Sequence, residues 1–429
     1  MANVRAKLVF RKPQPGLFPE DPMSRLDGEP LVAWLKATVA RLDMASVHSL
    51  FEDHGGVPYD PRRLLGVLFL GAFTRKTSSR DMEDACRFDV RFMEMADFDA
   101  PDYRTLARFR ARLAPVVDDL FAQVVRMAME DGLVHLGRVA LDSTKVASAG
   151  SQGRQWFRKG LDEDAVQGLC KPYSDPDAPV RRTKKATFRG YTVQAAVDTE
   201  TGVVVACDVG TQGSDRDQVP PALARVAETT GALPDALLAD KGYDSNVSHA
   251  CLETFGVEGF VPPQNDTGLF WTDVGDGVPR CPLGHPALPI AEKTRRGESF
   301  VEYRVRECAG CALKPSCCPT AHGRALECAV GVDPLARVRA SKKALEPESK
   351  AASKERSGSI ERVFGDMKWN QGLDRLTLRT LPKAKAQVML WMTVKNLKTM
   401  FGRLVLALLR LFLGVFTRTD GEATLSPAR

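Results

Sequence analysis

The chain has 429 residues, 44% of them hydrophobic and 27% charged, and carries a formal net charge of +6. This balance excludes an intrinsically disordered chain and leaves room for two or three packed units. The mild positive excess is compatible with a nucleic-acid partner without requiring one.

Arg5, Lys7, Arg11 and Lys12 interrupt the first stretch, which therefore lacks the apolar core of a secretory signal. From 29 to about 132 the pattern is helical. LVAWLKATVARL, PRRLLGVLFLGAF, SSRDMEDACRF and VVDDLFAQVVRMAME all place apolar residues at three-and-four spacing. Ser78, Ser79 and Asp102 are fitting helix entries. The stretch 101–113, PDYRTLARFRARL, sets Arg104, Arg108, Arg110 and Arg112 around a short helix. Such a face is either simply solvated or a contact for DNA phosphates.

After 138 the pattern changes. VALD is a short apolar run ending in Asp142, and reads as a buried strand. YTVQAAVD and VVVACDV are β-rich and joined by Thr-Glu-Thr-Gly, a hairpin. A helix follows over 218–231. DALLAD is a second buried strand ending in an acid, Asp240. A helix over 245–256 and a strand, VEGFVP, complete this part. The order of strands and helices resembles the ribonuclease-H-like arrangement, a mixed sheet with helices on its faces. In that arrangement the first and fourth strands are neighbours, which would bring Asp142 and Asp240 together.

The segment 263–357 reads as an insertion rich in Gly, Pro and turn residues. Six of the ten cysteines fall between Cys281 and Cys328. With no secretory signal, metal binding is favoured over a disulfide framework. Cys308-Ala-Gly-Cys311, then Cys317, with Cys281 in a CPLG turn upstream, suits a closed tetrahedral zinc site. His285 can replace Cys281, and Cys318 can replace Cys317, in the same scheme. Strands are expected over 287–293 and 299–306. Lys342, Lys343, Lys350, Lys354 and Arg356 then form a basic, apolar-poor lead-in, expected to be mobile or to touch DNA.

GSIERVFGDMK carries Glu361 and, seven residues on, Lys368, so both lie on one helical face. Ile360, Val363, Phe364 and Met367 form its apolar side. Two further helices are expected from 381. The second, over 401–416, is too short and too interrupted by Arg403 and Arg410 to span a membrane, and reads as a packed terminal helix. The units expected are 1–132, helical; 133–262, the first part of the sheet domain; 263–357, the insertion; and 358–429, the final helices.

Three acids on two strands and a helix suit divalent-metal phosphate chemistry, since Mg²⁺ takes a few carboxylates and leaves room for water and phosphate oxygens. On LDSTKVAS, FRGYTVQAAVDTETGVVV, ADKGYDS and SIERVFGDMK, preceded by the helical stretches DPRRLLGVLFLGAFTRKTSSRDMEDACR and PDYRTLARFR, the chain resembles DDE-type transposases of bacterial insertion sequences. The likeness runs from about 60 to 400. It implies Asp142, Asp240 and Glu361 as catalytic ligands of two Mg²⁺ (or Mn²⁺) ions, and DNA contacts by Lys368. It further implies action on terminal inverted repeats and target DNA, as a homodimer or larger assembly, in the bacterial cytoplasm at the nucleoid. Many such proteins carry Tyr and Arg seven and four residues before the glutamate. Here Lys354 and Ser357 stand there, and Arg356 lies one residue away from the arginine position. A ribonuclease-H-like nuclease and a catalytically weakened DNA-binding relative are the alternatives.

Overall fold

The computed structural model describes residues 29–51, 58–149, 175–183, 187–265, 270–295, 298–318 and 323–419. The N-terminal part is helical: α1 (Pro30–Arg41), α2 (Ala45–His48), α3 (Pro61–Phe73), α4 (Ser79–Phe88), α5 (Val90–Met95), α6 (Tyr103–Arg112) and α7 (Val117–Glu130). Short polar side chains start several of them. Asp60, Ser78, Asp89 and Asp102 each accept a hydrogen bond from a first-turn amide.

The sheet follows with β1 (Arg138–Ala147), β2 (Val180–Arg182), β3 (Thr187–Asp198) and β4 (Val204–Gly210). Next come α8 (Val219–Thr230), β5 (Ala236–Leu238), α9 (Asn246–Thr254) and β6 (Glu258–Phe260). β3 pairs antiparallel with β1, β2 and β4, while β1–β5 and β5–β6 are parallel. The order across the sheet is therefore β4-β3-β1-β5-β6, with β2 also on β3. β3 is buried along almost its whole length, as a central strand covered on both faces must be. Gly190 is required in it: a Cβ there would stand 2.0 Å from the Val146 carbonyl oxygen. The β3–β4 turn closes on Gly202 at φ +76°. Asp198 holds that turn, accepting from the amides of Glu200 and Thr201 and, across the layer, from those of His135 and Leu136.

A separate three-stranded antiparallel sheet is formed by β7 (Ala287–Arg295), β8 (Glu298–Val305) and β9 (Ala325–Ala329), with the short α10 (Lys314–Cys317) beside it. Trp271, Leu326, Leu335 and Val338 make a small core beneath it. α11 (Ala336–Lys343) follows and carries the buried Arg337 onto the turn after β5.

Two long helices follow, and both correct the sequence reading. α12 (Pro347–Gln371) takes in the expected lead-in, so the boundary expected at 357/358 falls mid-helix. The lead-in is poor in apolar residues but rich in Lys, Glu, Ala and Ser, behind a proline that fits the first helical turn. Ala352 anchors it by complete burial. α13 (Leu381–Thr419) is one helix rather than two, because Gly402 alone does not break it. The packing expected of its end stops near Met400: Leu404, Leu406, Leu408 and Leu409 are exposed, since α13 there runs past the body it packs on. Among the described residues no helix is long and apolar enough to cross a membrane.

One cluster of buried side chains runs from α1 and α3 through α7 to one face of β3 and β4, and on to α12 and α13. Trp34 of α1 meets Phe401 of α13 at 5.2 Å between ring centroids. At the sheet edge the Asn396 amide pairs with both the N–H and the carbonyl of Val204, each at 2.8 Å. Asn396→Ala leaves both groups buried without partners, and the expected loss is about 2–3 kcal/mol of unfolding free energy, measured by urea denaturation.

Candidate active site

The parallel pairing of β1 with β5 determines the site. Its register sets Ala140 beside Leu238. Two residues further, on the same face, that register leads to Asp142 and Asp240, and neighbouring strands lie about 4.8 Å apart. β1 does not end at Asp142, as the run VALD suggested, but continues to Ala147, paired along β3. β5 does end, and Asp240 caps the turn that replaces it. Its Oδ1 accepts from the Gly242 amide at 2.7 Å. Any side chain at Gly242 would meet that oxygen at 2.8 Å.

Asp142 Oδ1 accepts from the Ser143 amide at 2.7 Å, and Oδ2 is held by the Arg356 guanidinium at 2.6 Å. Burial pushes the Asp142 carboxyl above its ordinary value and the charge of Asp240 adds to this; the Ser143 amide and Arg356 oppose it. Glu361 lies five residues beyond Arg356 on α12, well around the helix from it at 100° per residue, is exposed, and accepts from the Ser357 hydroxyl at 2.5 Å. Lys368, on the same face of α12 as Glu361, reaches β1, where its ammonium donates to Thr144 Oγ1 at 2.5 Å. Burial lowers its pKa, with Asp374 opposing. Arg104 and Arg108 are exposed on α6, which packs on α3, α4 and α13.

The structure adds Asp215 and Gln194, which the sequence reading missed, and joins Tyr243 to them. Asp215, in the loop from β4 to α8, accepts from Ser143 Oγ at 2.9 Å and from Gln194 Nε2 at 2.6 Å. Tyr243 is fully buried and donates to Gln194 Oε1 at 2.5 Å. Burial, then Asp215, Asp142 and Asp240, raise its pKa, so it stays a neutral phenol. The polar run GSDRDQ between a strand and a helix was the only sequence signal for Asp215.

A buried network fixes the chain just after Asp240. Asp244 is paired with Arg337 at 2.5 Å and with His249 at 3.0 Å, and accepts from the Gln264 amide. Burial works against its ionisation. The hydrogen bonds from His249 and Arg337 win, and bring its pKa down to about 2.

In the insertion, Cys281 and Cys318 are buried while Cys308, Cys311 and Cys317 are half-buried. Burial raises the Cys308 pKa, and the neighbouring Cys281, Cys311, Cys317 and Cys318 raise it further. Among the described residues no three or more His, Cys, Asp or Glu side chains stand close enough to hold a metal ion. This applies to the thiols and to the carboxylates alike. For the carboxylates the donor set nonetheless suits a hard cation: the charges of Asp142 and Asp240 repel one another, and the Arg356 guanidinium pairs with Asp142.

The family described as Transposase domain (DUF772) matches residues 29–112. The family described as Transposase DDE domain matches residues 280–401, which include the cysteines, Glu361 and Lys368. Comparison with curated proteins gives no match. Among solved structures, the cryo-EM structure of a piggyBac transposase synaptic complex with hairpin DNA matches at 10% identity. That match covers 88% of this chain and 74% of the other, with a TM-score of 0.32, a likeness too slight to argue from.

Two measurements test these electrostatics. In ¹³C-carboxyl NMR titrations, Asp142 should titrate higher in Arg356→Gln and lower in Asp240→Asn. Asp142, raised on folding, contributes stability below its ordinary value of 3.8 that is lost as pH rises through the raised one. Asp244 is the reverse: its contribution is present above 3.8 and lost as pH falls toward about 2. Arg337→Met should therefore flatten the acid limb of the stability profile in that window, removing part of the roughly 2 kcal/mol that the whole shift represents at about 1.4 kcal/mol per pKa unit, since His249 and the Gln264 amide remain.

Proposed function

We propose that this chain, a DDE-type transposase of an insertion element by the two families that match it, cuts DNA at the ends of its element and joins the freed 3′-hydroxyl to target DNA. The observation that carries this reading is the meeting of Asp142 and Asp240 beyond the paired ends of β1 and β5. The strand order, antiparallel through β4-β3-β1 and parallel through β1-β5-β6, supports a ribonuclease-H-like assignment for the sheet.

Asp142 and Asp240 would hold a divalent cation, Mg²⁺ or Mn²⁺, with Glu361 as the third carboxylate. Such a cation, when bound, polarises the scissile phosphate and supports in-line attack. The protein's own groups orient the rest. The Ser143 amide fixes one oxygen of Asp142, and the Gly242 amide fixes one of Asp240. Arg356 neutralises Asp142, and on this reading gives way to a cation and to the phosphate it would then contact. Lys368, on Thr144 two residues along the same strand face, is placed for a DNA phosphate. Arg104 and Arg108 would contact DNA further out. The thiols gathered around Cys308 would hold a structural zinc ion through Cys281, Cys308, Cys311 and Cys317, tying the insertion together.

The grip of Arg356 on Asp142, with Ser357 at the position where relatives carry arginine, favours one second reading: a DNA-binding relative with weakened catalysis. Incubation with labelled element-end DNA and Mg²⁺ or Mn²⁺ separates the two. Active enzyme gives cleavage that falls at least about 100-fold in Asp142→Ala, Asp240→Ala and Glu361→Ala with binding kept, an estimate at the low end for groups stabilising a transition state. Binding without cleavage by the wild type supports the second reading, and cleavage surviving these substitutions refutes the site. For zinc, metal analysis of the purified protein should give one equivalent, lost in Cys308→Ser/Cys311→Ser.

A further inference from the structure

α12 has a second face. Glu361 and Lys368 lie on one stripe, whereas Ser359, Arg362 and Asp366 are turned more than a quarter of the circumference away at 100° per residue. That far face, the β3–β4 turn and α13 enclose an open cleft of about 500 Å³. Four cations line it: Arg362 from α12, and Lys395, Lys398 and Arg403 from α13.

The lysines are costly where they stand. Lys395 and Lys398 are half-buried, and burial lowers the pKa of both, with Asp366 opposing. Among the described residues neither has a carboxylate oxygen within 4.0 Å; Lys395 donates to Thr399 at 2.8 Å, and Lys398 lies over the Phe73 ring at 5.6 Å. The two acids of the cleft answer them only in part: Asp366 attracts both lysines from beyond ion-pair distance while accepting from Asn370, and Glu200 is exposed, 3.9 Å from His135. Desolvating ammonium groups without a counter-charge is unfavourable, and it becomes favourable when an anion enters. Lys395 and Arg403, eight residues apart, share one face of α13, so their charges run along the cleft rather than meeting at a point. This suits a chain of phosphates better than a single small anion.

We propose that this cleft binds the sugar–phosphate backbone of a DNA segment separate from the one presented to Asp142 and Asp240. The assignment of DNA as the source rests on the transposase reading; the preference for phosphate rests on the cleft alone. The slope of log affinity against log salt falls by about 0.9 for each phosphate that is left without its neutralising cation. Duplex binding is measured by fluorescence anisotropy over a salt series, and pyrophosphate and ATP binding by calorimetry. Lys395→Gln/Lys398→Gln should reduce the magnitude of the DNA slope by about 2, and Lys395→Arg/Lys398→Arg should restore it. The exposed pair Arg362→Gln/Arg403→Gln, which does not disturb buried packing, should act in the same direction at unchanged melting temperature. A slope unchanged in both glutamine pairs, in a protein that binds DNA, overturns the proposal. Substitution-sensitive binding of ATP or pyrophosphate without a change in the DNA slope overturns DNA as the source and keeps the phosphate site. If the wild type binds no duplex, the transposase reading fails, and DNA as the source fails with it; calorimetry alone then decides the phosphate site, which also fails if neither anion binds.

Discussion

Two carboxylates held close together in a half-buried place repel one another, and the central architecture bears on how that repulsion is met. Parallel pairing of β1 with β5 creates the proximity. Pairing of β1 with β3 carries the strand past Asp142 and puts Ser143 and Thr144 beside it. The turn after Asp240 needs a glycine because the carboxylate folds back over it. α12 then supplies the opposing charge from far along the sequence, through Arg356. The Asp244–Arg337 pair does a related task one turn away. It ties the insertion to the loop bearing Asp240, so the small sheet and the large one are mechanically connected at the acid.

The neighbourhood of Asp142 and Asp240 was legible in the sequence because short apolar runs ending in acids, separated by a hairpin and a helix, resemble the ribonuclease-H-like order, in which those two strands are neighbours. The β3–β4 turn was legible for a local reason, its Thr-Glu-Thr-Gly. What was not legible is long-range or compositional. The Arg356–Asp142 pair joins positions more than 200 residues apart, and no local pattern announces it. Asp215 sits in a polar loop that looks like any other until Ser143 and Gln194 reach it. The lead-in before Glu361 read as loose because it lacks apolar residues. A helix anchored at a few buried points, such as Ala352 and Ile360, needs few of them.

The same limits apply to the cysteines. Their spacing suggested a ligand set, yet among the described residues no three of these thiols stand close enough to share a metal ion, because ligation depends on fine positioning that spacing does not encode. Likewise the seven-residue step from Glu361 to Lys368 correctly put both on one face. It did not say that the lysine would be drawn down to Thr144 while the glutamate stayed at the surface beside Ser357.

The continuous core has a practical consequence for anyone wishing to dissect this chain. The two matched regions, 29–112 and 280–401, are far apart in sequence, yet α1, α3, α12 and α13 bury side chains in a single cluster. Expressing either region by itself would strip water-excluding partners from the other: Trp34 from Phe401, the α3 face from α13, and the Asn396 clasp from the margin of β4. The N-terminal helices are in this sense a wall of the body that carries the sheet, and a truncation at their end is a cut through its interior.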